Sequence, residues 1–235
     1  MRTILITGAN SEIASEYVKR YGDGYDRIIM HYGHRKDRVV ELIGLYGGVI
    51  IPVEADLSKR DEVERLIEAI KEYEIDEFLH LPAPKLRHMR FVKGSIDEFE
   101  LEMQVVYWSF LRICQIFIPG MAKRGTGRIL AVLTEYTIDK QPPYLSHYIS
   151  AKFALLGLVK SLASEFGSKG VGINGISPGM IETDFVSRLP QYIVDDNAKT
   201  MTRGRNLIPA DLVPTVSYLL SKDSEGINGQ NIIIR

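Results

Sequence analysis

The feature that most restricts the fold of this 235-residue chain is an unbroken alternation of short apolar runs with stretches of helical period. The apolar runs at residues 3–7, 27–31, 48–53, 77–81, 128–133, 172–177 and 231–234 have the length of buried strands. Between them, residues 12–20, 37–45, 59–73, 97–121, 144–166 and 209–220 read as helices. Such alternation joins parallel strands through right-handed helical crossovers, so an α/β architecture is expected: a doubly wound, seven-stranded parallel sheet. Ligands of such sheets sit at the carboxyl ends of the strands, where the strand order reverses. No internal repeat, low-complexity segment or linker interrupts the pattern, and one domain spanning 1–235 accounts for all of it.

Charge excludes some partners. With 29 Lys and Arg against 30 Asp and Glu, the net charge of −1 gives no reason to expect nucleic acid or an anionic membrane. The single cysteine, Cys114, lies in an apolar helical run and is expected in the core; it allows neither an internal disulfide nor a paired-cysteine zinc site. The N-terminus opens directly into the strand-like MRTILITG, with no signal-like region, and no apolar run reaches about 18 residues. A soluble, cytoplasmic protein without metal is the expectation.

The first candidate site follows the first strand. Thr7-Gly8 leads through Ala9-Asn10-Ser11-Glu12-Ile13-Ala14 into a helix, and a strand, tight turn and helix N-terminus in succession present free N–H groups to an anion. The glycine pattern of dinucleotide folds is only partly kept, since Glu12 and Ala14 stand where close approach favours glycine. After the second strand comes Tyr32-Gly33-His34-Arg35-Lys36. An acidic residue here would suit the ribose hydroxyls of NAD, whereas basic His34 and Arg35 suit the 2′-phosphate of NADP.

The second candidate is YLSHYISAKFALLGLVKSLASEF, residues 144–166, which places Tyr148 and Lys152 one helical turn apart on one face. A cation so close is expected to lower the phenol's pKa and make it a general acid. The rest of this helix is apolar around most of its circumference, so it is buried on more than one side, either within its own chain or against a second subunit.

Together these residues resemble the short-chain dehydrogenase/reductase family, and within it the 3-oxoacyl-acyl-carrier-protein reductases. The matching pieces are TGANSEIA after the first strand, ADL at 55–57, GRI at 127–129, YISAK at 148–152, INGISPGMIETDF at 173–185 and YLLSKDSEGINGQNI at 218–232, in order over nearly the whole chain. The resemblance implies a Rossmann-like fold, NADP(H) as cofactor, and reduction of a ketone or 3-oxoacyl thioester to a secondary alcohol. It implies that Tyr148 protonates the carbonyl oxygen, Lys152 lowers its pKa and binds the nicotinamide ribose, and Thr134 stands at the family's serine position to hold the carbonyl. Cofactor contacts would come from Gly8, Asn10, Ser11 and Ile13 in the first turn, and from Asp56 and Leu57 at the adenine. Pro178, Gly179, Ile181 and Thr183 would line the nicotinamide. Substrate choice would fall to a flap at about 183–200 and a loop at 135–143, and the assembly would be a homodimer or homotetramer.

Four departures qualify that reading. The family's Asn-Asn-Ala-Gly after the fourth strand is His80-Leu81-Pro82-Ala83, and its long-helix asparagine, a support of the proton relay, is Val106, which can neither donate nor accept through its side chain. Thr134 keeps the hydroxyl but restricts χ1, and Glu12 brings negative charge towards a pyrophosphate. A second reading is therefore a cofactor-binding protein with little catalysis, acting as a structural or regulatory partner. Other motifs carry less. Gly175-Ile176-Ser177-Pro178-Gly179 has the spacing of a hydrolase elbow, but Pro178 lacks the N–H that an oxyanion hole needs. The basic group Lys85, Arg87, His88 and Arg90 would steer an anionic substrate if it lies at the mouth of the site.

Overall fold

The computed structural model describes residues 1–235 apart from Lys140 and Arg188. Those two fall in the loop and the flap to which substrate choice was assigned, and lie outside the described residues. The strands are β1 (Thr3–Thr7), β2 (Arg27–Tyr32), β3 (Ile50–Glu54), β4 (Glu77–His80), β5 (Gly127–Val132), β6 (Val171–Pro178) and β7 (Asn231–Ile234). They form one sheet in the order β3-β2-β1-β4-β5-β6-β7, with every neighbouring pair parallel. The order reverses between β1 and β4, which fixes where a crevice opens.

The continuous apolar runs are explained by burial on both faces. In β1, Leu5 points to one layer with Ile29, Phe78 and Ile129, while Ile4 and Ile6 point to the other with Ile28 and Met30. The first layer is covered by α3 (Arg60–Ile70), α5 (Ser109–Arg124) and α6 (Ser146–Phe166), and α4 (Ile96–Glu102) packs on α6. The second is covered by α1 (Glu12–Tyr21), α2 (Asp37–Tyr46) and α8 (Pro209–Leu220), whereas α7 (Gln191–Thr200) lies in the expected flap and gives that segment regular structure. Stacking of Phe110 on Phe78, ring centroids 5.6 Å apart, is typical of the first layer. Truncating such a ring to alanine costs about 3–5 kcal/mol.

The long helix expected at 97–121 runs from Ile96 to Arg124 but is not uniform. A π-helical turn, Met103–Trp108, separates α4 from α5 and contains Val106. By length and apolarity alone this 29-residue run could cross a membrane, contrary to the expectation that no run qualifies. Its inward side chains Val106, Phe110, Ile113 and Cys114 are nevertheless built into the core.

Candidate functional site

The turn after β1 is shaped by one glycine. Gly8 has φ +71°, and a Cβ there would lie 3.1 Å from the backbone nitrogen of Pro82, so both conformation and space require its bare backbone. Ser11 caps α1 by accepting from the Ala14 N–H at 3.2 Å. His31 fastens the turn from beneath. Its Nδ1 accepts from Gly8 N–H at 3.2 Å and its Nε2 meets the Ala55 carbonyl at 3.0 Å, an arrangement that only the neutral ring satisfies. Burial pushes the His31 pKa down to about 4, consistent with a permanently neutral imidazole.

The turn opens onto a cavity of about 330 Å³ at the carboxyl ends of β1, β4, β5 and β6. From the first turn come Gly8, Asn10, Ser11 and Ile13; Arg35 approaches from the end of β2. Pro178, Gly179, Ile181 and Thr183 line the side beyond β6, and Thr134, Tyr148 and Lys152 close the inner end. Three residues expected at the cofactor do not line this cavity: His34 is 82% exposed with its Nε2 3.7 Å from Asp56 Oδ2, Asp56 also accepts from the backbone N–H and hydroxyl of Ser58 at 3.0 and 2.7 Å, and Leu57 is buried in the core.

Tyr148 and Lys152 are almost completely buried, at 6% and 2% exposure. Lys152 Nζ donates to the Val132 carbonyl at 2.7 Å and sits 5.8 Å from the centre of the Tyr148 ring. This corrects the expectation of a lowered tyrosine pKa. Burial raises the Tyr148 pKa above its ordinary value, with the Thr134 hydroxyl acting the other way, and burial also pushes Lys152 down to about 8. Desolvation therefore outweighs the cation, because the ammonium is turned towards a β5 carbonyl rather than the phenol oxygen.

The altered segment after β4 has a structural role. Buried His80 joins Thr7 Oγ1 at 2.8 Å through Nδ1 and the Val106 carbonyl at 3.1 Å through Nε2, and so ties β1, β4 and the π turn together. Burial lowers its pKa to about 3, so it remains neutral. Nothing in the sequence pairs His80 with Thr7 and Val106; adjacency of β1 and β4 does. Sequence reasoning likewise missed Arg38, Asp184 and Phe185 in the cavity wall, and Glu102, which is 2% exposed beneath the Tyr148–Lys152 helix. Among the described residues no group of His, Cys, Asp and Glu could hold a metal ion.

A doubly wound parallel sheet with a glycine-shaped anion turn and a buried tyrosine, lysine and threonine at its strand ends defines a dinucleotide-fold protein of oxidoreductase type. The family model described as Enoyl-(Acyl carrier protein) reductase matches residues 8–234, and the chain belongs to the short-chain dehydrogenase/reductase family. The chain is 24% identical over 235 residues to the 3-oxoacyl-[acyl-carrier-protein] reductase of Staphylococcus epidermidis, covering 98% of this chain and 96% of the relative. It is 26% identical over 233 residues to the 3-oxoacyl-[acyl-carrier-protein] reductase MabA of Mycobacterium tuberculosis, covering 97% and 89%. Among solved structures, levodione reductase superposes with a TM-score of 0.89 at 20% identity over 99% of this chain and 95% of its own. A 3-oxoacyl (acyl-carrier-protein) reductase of Agrobacterium tumefaciens C58, solved with NADP bound, gives 0.88 at 21% identity over 99% and 92%. At such identities the superpositions speak for the fold alone.

Proposed function

We propose that this protein reduces a ketone, of the 3-oxoacyl thioester class, to a secondary alcohol with NADPH. The observation that carries the reading is the meeting of Thr134, Tyr148 and Lys152 in the same cavity as the Gly8–Ser11 turn. The cavity fits a dinucleotide: Gly8 keeps the turn free of a Cβ, Ser11 orders the first turn of α1, and the Glu12 carboxylate is engaged by Arg38 at 2.8 Å rather than left to repel phosphate. Gly8, Asn10, Ser11 and Ile13 would hold the pyrophosphate, Arg35 the 2′-phosphate, and Pro178, Gly179, Ile181 and Thr183 the nicotinamide side.

The bound cofactor supplies hydride to the carbonyl carbon. Tyr148 donates its proton to the carbonyl oxygen as negative charge develops there, and Thr134 donates a hydrogen bond to the same oxygen. Burial suits Tyr148 to that role, because a phenol with a raised pKa keeps its proton until the substrate oxygen becomes basic. Lys152, held on the Val132 carbonyl, remains largely protonated near neutral pH and offsets the charge left on Tyr148. The relatives named as acyl-carrier-protein reductases favour a carrier-linked acyl group. Lys85 at the cavity wall, with Arg87 and Arg90 close by in sequence, would draw in an acidic carrier. The exposed Trp108, Ile116 and Phe153 on the outer side of the α4–α5 run and α6 suit burial in a homodimer or homotetramer, and a cytoplasmic location follows from the same reading.

The alternative, cofactor binding with little turnover, draws on Val106, whose side chain offers no relay group and whose carbonyl is taken by His80. NADPH absorbance followed with a panel of 3-oxoacyl thioesters and small diketones separates the two. Substrate-dependent oxidation that is abolished by Tyr148→Phe, with NADPH binding retained, is the expected result; tight NADPH binding without turnover on any substrate would replace the first reading by the second.

A further inference from the structure

The cofactor end of the cavity contains an internal anion. Arg38, in the first turn of α2, is fastened to the turn after β1: its backbone N–H donates to Asn10 Oδ1 at 2.9 Å, Nη1 to the Asn10 carbonyl at 3.2 Å and Nη2 to Glu12 Oε1 at 2.8 Å. From the other side of the crevice, Asp184 reaches across in the short turn Asp184–Val186. Its Oδ2 lies 3.3 Å from Arg38 Nη2 and 3.3 Å from Arg35 Nη1, and its backbone N–H donates to Glu12 Oε1 at 3.0 Å. Asp37 also pairs with Arg35, at 3.2 Å. One carboxylate oxygen shared by two guanidinium groups reproduces the charge pattern that a phosphate monoester seeks.

We propose that Asp184 is a selectivity residue for the cofactor, its carboxylate standing in the Arg35–Arg38 clamp until the 2′-phosphate of NADP(H) displaces it. This rests on the cofactor reading above. The side chains of Arg35 and Asp184 are 56% and 47% exposed, so their pairing is screened by solvent and weak enough to exchange. A phosphate monoester brings about twice the charge and three acceptor oxygens, and wins the competition. NAD(H) has no group to make the exchange and must bind with the clamp still closed on Asp184.

Removing the Asp184 charge should therefore tighten 2′-phosphorylated ligands by about threefold to tenfold, as for a site open between a tenth and a third of the time. The test is calorimetric titration of wild type, Asp184→Asn and Asp184→Ala with adenosine 2′,5′-bisphosphate and with adenosine 5′-monophosphate, alongside fluorescence titration with NADPH and NADH. Both variants should bind the bisphosphate and NADPH more tightly, with the monophosphate and NADH changed less than about twofold. Equal tightening of both ligand pairs would place Asp184 against the pyrophosphate instead, and unchanged or weaker NADPH binding would also overturn the proposal. If wild type prefers NADPH to NADH and the variants do not differ, only the role of Asp184 fails; if wild type binds neither dinucleotide, the cofactor reading fails with it.

Discussion

Replacing Glu102 with glutamine should change how stability depends on pH, by an amount that burial sets. Glu102 ends α4 just before the π turn, is 2% exposed, and its Oε2 has no hydrogen-bond partner among the described residues. Burial pushes its pKa from an ordinary 4.5 up to about 7, with Lys152 opposing the rise and Glu98 adding to it. The folded protein thus binds this proton more tightly than the unfolded chain does, so the stability is fully present below pH 4.5 and is lost as pH rises through 7. At about 1.4 kcal/mol per unit the whole effect is about 3 kcal/mol, of which roughly 2.5 falls between pH 5 and pH 8.5. Glutamine keeps the shape and removes the titration, and with it the support that the Glu102 charge gives the Lys152 ammonium, so the comparison reads the coupled pair. Urea midpoints and thermal melts at pH 5, 7 and 8.5 should show Glu102→Gln gaining on wild type by about 2.5 kcal/mol, or about 5–10 °C for a chain of this size. A difference that stays flat with pH, or grows towards acid, would refute the buried-carboxyl argument.

Three further outcomes follow from the same geometry. Gly8→Ala should cost about 1–3 kcal/mol and weaken NADPH at least tenfold, because a Cβ at φ +71° must also push on the Pro82 backbone; urea unfolding and fluorescence titration check this, and an unaltered Kd would count against the turn as the phosphate site. His80→Val should cost about 2–4 kcal/mol at pH 7 by leaving Thr7 and the Val106 carbonyl without their partner and opening a cavity, whereas a loss under about 1 kcal/mol in urea midpoints would show that the pairing is dispensable. Trp108→Asp combined with Phe153→Asp should yield a smaller species in sedimentation velocity with little loss of monomer stability, since both side chains are over 40% exposed; an unchanged sedimentation coefficient would remove this face as the subunit contact.

What could be read from the sequence divides along a physical line. The strands were legible because a strand buried on both faces must be apolar at every position, and β1, Thr3–Thr7, is buried throughout. The turn at Gly8 and the pair Tyr148–Lys152 were legible because each is a local constraint, one on a backbone angle and a strand-to-helix junction, the other on helical spacing. The direction of a side chain at a strand end is not local in this sense. His34, Asp56 and Leu57 sit at the expected positions in the chain, yet Asp56 turns to its own Ser58 and Leu57 into the core. The Tyr148 pKa failed for a related reason: spacing brings a cation near, but only the packed structure shows that Lys152 is aimed at Val132 and that burial is nearly complete.

The departures from the family pattern extend this argument, because they are coupled through the fold rather than through sequence. Asparagine gives way to valine at 106 and another family asparagine to histidine at 80, and the two replacements meet: the His80 ring holds the Val106 carbonyl within the π turn. A residue with no side-chain hydrogen bond is tolerated there because its backbone group has gained a buried, permanently neutral partner. One turn earlier on the same run stands Glu102, whose charge acts on both Tyr148 and Lys152. This helix therefore carries a titratable group one turn before Val106, and the pH at which Glu102 ionises changes the charge that Tyr148 and Lys152 feel.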